Sequence, residues 1–152
     1  MTELGKYLSS GEHCVLCLDP GDHTGWFVAH IHADGSRDYN GGTAGRDHLE
    51  VAQLFKDFNP DVVVMESFHL YPGMAKSLSW NSFYPCEVIG VIRYICMLEG
   101  RKCVEQSPSI KKYSGGLNQL WKSVHSKFKF TEHVKDAFLH WRYFARQNGI
   151  NE

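Results

Sequence analysis

The stretch Cys14-Val15-Leu16-Cys17-Leu18-Asp19-Pro20-Gly21-Asp22-His23-Thr24-Gly25-Trp26 decides how this chain is read. An unbroken apolar run from Cys14 to Leu18 ends in an acid. A short run bounded by a turn signal reads as a strand covered on both faces. Pro20-Gly21 supplies the turn, and a second strand, about Gly25 to His32, returns beside the first. The turn at Asp34-Gly35 leads into a short third strand around Asp38 to Gly41.

Further along, Asp61-Val62-Val63-Val64-Met65-Glu66 repeats the pattern of a buried strand ending in an acid. Before it, Thr43 can cap a helix from about Ala44 to Phe58, with Leu49, Ala52, Leu54 and Phe55 on its apolar face. Asn59-Pro60 ends that helix. An aromatic-rich break, Ser67 to Trp80, contains Pro72 and Gly73. The next helix, Tyr84 to about Leu98, turns Val88, Ile92, Ile95 and Met97 toward the sheet and stops at Gly100. A fifth strand is expected over Lys102 to Glu105, then a helical turn at Pro108. Two last helices are expected, Leu117 to about Phe128 and Thr131 to about Arg146. Hairpin-linked strands followed by strands alternating with helices make an α/β fold, a mixed five-stranded sheet flanked by helices. One domain spans 1–152, and residues 1–12 read as a flexible lead-in.

The final helix carries His133-Val134-Lys135-Asp136-Ala137, where residues three apart share a face. Taken singly, Asp19 is a turn former, Glu66 a strand end and Asp136 a surface acid. Taken together, Asp19, Glu66, Asp136 and His133 suit divalent metal and a phosphodiester better than a core. Mg²⁺ takes oxygen ligands. Two Mg²⁺ ions about 4 Å apart can hold the attacking water and the leaving 3′ oxygen. Mn²⁺ is expected to substitute. Asp19 would bridge both ions, Glu66 and Asp136 would each hold one side, and His133 would bind metal or place the water. His23, His69 and His140 have no partner legible in the sequence. Glu87 reads as a helix-start acid or a neighbour of the site, and Glu132 as a first-turn acid.

These segments resemble the RuvC-like Holliday junction resolvases of the ribonuclease H-like superfamily. Asp19-Pro20-Gly21 with Thr24-Gly25 is similar to the family's first strand pair, and Glu66 to the acid ending its later central strand. His133 and Asp136 look like the C-terminal helix motif in its His-x-x-Asp-Ala form. Pro108-Ser109-Ile110-Lys111-Lys112 and Lys122, after Gly115-Gly116, look like the family's Pro-x-x-Val-Lys segment and the lysine eleven residues beyond. The resemblance covers roughly Cys14 to Tyr143. It implies a ribonuclease H-like fold and a Mg²⁺-dependent endonuclease that nicks branched DNA. The substrate would be a four-way junction resolved by paired symmetric cuts. It also implies phosphate contacts for Lys111, Lys112 and Lys122, and an aromatic, Phe68 or Tyr71, stacked on unpaired bases at the crossover. Some family members carry an acid where this chain has His133, so that residue's role does not transfer directly. A short resolvase of this kind fits a bacterial or phage-encoded protein of the cytoplasm.

Charge is distributed unevenly. Residues 1–100 carry 6 Lys+Arg against 13 Asp+Glu, whereas residues 101–152 carry 10 against 4. A basic C-terminal third beside an acidic site suits a phosphate track, and Lys127, Lys129 and Arg142 would extend it. The 5 cysteines show no disulfide spacing. Cys14 and Cys17 stand three apart on a strand, so they face opposite ways, which argues against a zinc or redox pair. Buried free thiols fit a reducing compartment. No apolar run is long enough for a membrane helix. Paired cuts call for two sites related by a twofold axis, and the helix from Tyr84 is apolar enough to serve a homodimer interface. The same acids would also serve a nuclease acting on flaps, forks or RNA. An inert DNA-binding scaffold would leave them without a use, and an actin-like ATPase would need a second domain.

Overall fold

A computed structural model describes residues 2–68, 83–112, 122 and 131–151. Helix α1 (Glu3–Leu8) precedes strands β1 (His13–Asp19), β2 (Thr24–Ile31) and β3 (Arg37–Ala44). Helix α2 (His48–Phe58) leads to β4 (Val62–Glu66), and α3 (Tyr84–Glu99) to β5 (Lys102–Gln106). A 3₁₀ turn (Pro108–Lys112) and helix α4 (Glu132–Gln147) follow. The strands form one sheet in the order β3-β2-β1-β4-β5. Strands β1, β2 and β3 are antiparallel neighbours, while β4 runs parallel to both β1 and β5.

Alternation along β1 explains its unbroken apolar run. Val15 and Cys17 face one side, where Leu8 of α1 and Phe138, Trp141 and Phe144 of α4 cover them. Cys14, Leu16 and Leu18 face the other, against Val51, Leu54 and Phe55 of α2 and Val88, Ile89 and Ile92 of α3. A strand buried on both faces cannot show polar alternation. The same parity puts Cys14 and Cys17 on opposite faces, as the sequence requires, and all five cysteines are free, with Cys86 exposed.

Several boundaries move. Residues 1–12 include a helix rather than a flexible lead-in. Thr2 caps α1 by accepting from the Gly5 N–H, its hydroxyl bonds Asn148, and Leu8 is buried. A short apolar anchor thus holds a polar segment that hydropathy alone reads as loose. Thr43 does not cap α2, because β3 pairs with β2 as far as Ala44. Asp47 caps the helix instead, accepting from the Leu49 N–H. Helix α2 ends at Asn59, whose left-handed φ of 46° closes the last turn. Gly100 ends α3 with φ 66°. Met97, expected against the sheet, is 81% exposed, because Val88, Ile92 and Cys96 fill the inward stripe. The expected helix Leu117–Phe128, apart from Lys122, lies outside the described residues, as do Gly115-Gly116, Lys127 and Lys129.

Candidate active site

Strand parity collects the acids. Asp19 shares its face of β1 with Val15 and Cys17, and Glu66 shares its face of β4 with Val62 and Val64. That face is the one α4 covers. Leu18 pairs with Met65 across the parallel ladder, so Asp19 and Glu66 close adjacent strands at the same edge. Gln106 is the register partner of Glu66 on β5. Three strand ends therefore present Asp19, Glu66 and Gln106 toward one helix.

Helix α4 answers with Asp136 and His140, one turn apart. Thr131 caps its start by accepting from the Val134 N–H. Its close approach depends on Gly25. A Cβ built there would lie 2.0 Å from the His133 carbonyl oxygen, so only glycine lets β2 pass beneath the start of the helix.

The Lys111 ammonium lies among the three carboxylates. Its Nζ is 2.7 Å from Glu66 Oε2, 3.1 Å from Asp136 Oδ2 and 3.9 Å from Asp19 Oδ1. Burial pushes the Asp19 carboxyl up to about 7, with Lys111 pulling it down and Glu66 and Asp136 adding to the rise. Burial would also raise Glu66, but hydrogen bonds from His140 and Lys111 outweigh it and hold that carboxyl below its ordinary value. Lys111 follows the converse logic: burial disfavours its charge, yet the hydrogen bond to Glu66 and the facing acids leave its pKa raised.

His140 is fully buried. Its Nε2 lies 2.8 Å from Glu66 Oε2 and its Nδ1 2.7 Å from Gln106 Oε1. No partner for this histidine is legible in the sequence, although His133, Asp136 and His140 recur at helical spacing on one face. What hid it was the partner on β5, a neutral glutamine that carries no catalytic signature. His133 is exposed and makes no hydrogen bond or ion pair with the three acids; its ring stands 6.0 Å from that of His23.

The other expected residues distribute differently. Lys111 reaches the carboxylates rather than standing out along a phosphate track, whereas Lys112 and Lys122 are exposed. Arg142 is buried and so cannot extend an exposed track. Phe68 is 40% exposed, packs edge-on against Phe83, and borders a cleft of about 240 Å³ shared with Pro20, Glu66 and Pro108. Tyr71 lies outside the described residues. Glu87 pairs with His48 at 3.3 Å on the other side of the sheet, away from the acids.

Solved structures share this arrangement of strands and helices. RuvC of T. thermophilus in complex with a Holliday junction substrate matches with a TM-score of 0.64 at 16% identity, over 90% of this chain and 97% of that one. The fold is that of the RuvC-like resolvases. Ydc2, the yeast mitochondrial Holliday junction resolvase, matches with a TM-score of 0.62 at 16% identity, over 97% of this chain and 85% of that one. The fowlpox virus resolvase, solved with substrate Holliday junction DNA, matches at 0.59 and 13% identity, over 87% and 99%. No family model matches the sequence, and no curated protein matches it.

Oxygen chemistry decides which ion the site would fit. Among the described residues no group of three or more His, Cys, Asp or Glu side chains is placed to hold a metal ion as it stands. The three carboxylates instead converge on one cation, the Lys111 ammonium. An all-oxygen donor set already gathered around positive charge fits Mg²⁺ or Mn²⁺.

Proposed function

We propose that this chain is a divalent-metal-dependent endonuclease of branched DNA, which resolves four-way junctions by paired nicks as a homodimer. The observation that carries this reading is the convergence of Asp19, Glu66 and Asp136 on a single cation at the strand ends of a RuvC-like fold. Structural neighbours that are Holliday junction resolvases support the substrate class.

Asp19, Glu66 and Asp136 would hold the Mg²⁺. When bound, Mg²⁺ would supply an activated water and neutralise charge on the leaving oxygen. Glu66 is kept ionised by His140 and Lys111, which suits it to bind a cation at neutral pH. His133, exposed beside His23 at the start of α4, would bind metal or place the attacking water. Lys112 and Lys122 present cations to the DNA backbone. Phe68, next to the Glu66 cleft, offers a face to an unstacked base.

The test is incubation of end-labelled four-way junction, flap, fork and linear duplex with Mg²⁺ or EDTA. Symmetric nicks in the junction, absent in EDTA, are expected. Preferential cutting of flaps or forks would move the substrate assignment, and junction binding without cleavage in any divalent ion would leave a scaffold.

A further inference from the structure

We infer, building on the metal-dependent reading above, that His140, held by Gln106, is a positioning residue that fixes the Glu66 carboxylate for metal binding. A buried imidazole needs partners for both ring nitrogens, and here one of them is a carboxylate of the acid cluster. His140 has both ring nitrogens engaged, one on β4 and one on β5, while its own backbone belongs to α4. The ring therefore ties together three elements at the point where their acids meet.

Donor and acceptor counting gives the consequence. Glu66 Oε2 receives both His140 and Lys111, at 2.8 and 2.7 Å. Its other oxygen, Oε1, takes no hydrogen bond from a described residue and is the atom left to a ligand. Two donors on one oxygen fix the plane of the carboxylate and so the direction of the second. With the Gln106 amide turned so that its N–H donates to Nδ1, the ring donates from Nε2 to Glu66. Gln106 sits beside Glu66 in the parallel register, so the two anchors of the ring keep a fixed spacing.

Three variants test this: His140→Ala, His140→Gln and Gln106→Leu. Mn²⁺ binding to the protein without DNA is titrated by calorimetry. The Mn²⁺ dependence of junction cleavage, junction binding in EDTA and thermal unfolding are measured alongside. His140→Ala and Gln106→Leu should weaken Mn²⁺ binding about 10–100-fold, the usual loss for groups that orient a metal ligand. The half-saturating Mn²⁺ for cleavage should rise in step, with junction binding in EDTA unchanged. His140→Gln, whose amide N–H can still reach Glu66, should recover most of the affinity. Should His140→Ala fail to fold, Gln106→Leu decides, because it leaves the imidazole in place. Folded variants that titrate Mn²⁺ like the wild type would overturn the positioning role while leaving the metal-dependent reading intact. A His140→Gln as impaired as His140→Ala would also overturn it, by showing that only packing matters. A wild type that binds no Mn²⁺ would overturn both.

Discussion

Asp19 is an acid whose charge the fold opposes. Burial and two neighbouring carboxylates raise its pKa from 3.8 to about 7, so the fold holds a proton there that the unfolded chain has released. Between those values the folded state binds more protons, and stability contributed by this group falls as pH rises. In EDTA, Asp19→Asn should therefore melt higher than the wild type at pH 8, with the gap closing toward pH 5. Each kcal/mol removed corresponds to about 2–4 °C at this chain length. A gap that does not change with pH would show that the ionised carboxylate is not strained. The same variant should lose cleavage in Mg²⁺ and keep junction binding in Ca²⁺, which gel shift and cleavage assays on one preparation would compare.

At the scale of elements, the meeting of β2 and α4 is the most sensitive joint. Gly25→Ala puts a Cβ where the His133 carbonyl now lies. We expect a loss of about 1–3 kcal/mol from overpacking, seen as a lower melting temperature. Cleavage should fall further than stability alone explains, because a shift of about 1 Å in a reacting group can cost about 100-fold. Unchanged cleavage would mean that α4 can slide along the sheet without disturbing Asp136. This joint was only half legible beforehand. The Thr24-Gly25 pair was visible in the sequence, but not what the glycine makes room for. Strand ends at Asp19 and Glu66 were readable because burial on both faces leaves an acid conspicuous at the end of an apolar run. His140 was not, since its meaning depends on a β4–β5 register that no local pattern encodes. The place of Lys111 among the acids was equally hidden, because a lysine's long stem can deliver its charge several ångströms from where its backbone sits.

For the whole molecule, paired cutting needs two copies. The outward side of α3 exposes Tyr94 at 65%, Met97 at 81% and Leu98 at 70%, next to Gly90, where a Cβ would meet open space. That side fits the homodimer proposed above, with small and large residues able to interdigitate. Met97→Glu with Leu98→Lys should yield a monomer by sedimentation. On a plasmid carrying an extruded cruciform, the wild type should give linear product and the variant mainly nicked circles. A dimeric variant that still linearises the plasmid would place the interface elsewhere. The ammonium held among the acids gives the assembly one more property. Lys111 is a counterion to these acids, so a divalent ion bound there, as proposed, would exchange with it and free the lysine for a phosphate. Metal and DNA would then be reciprocal ligands, each raising the affinity for the other by the same factor. Lys111→Met should separate the two effects: Mn²⁺ alone should bind more tightly, DNA in EDTA should bind no worse, and the enhancement of DNA binding by Ca²⁺ should shrink. Equal enhancement in variant and wild type would mean that the lysine never leaves the acids.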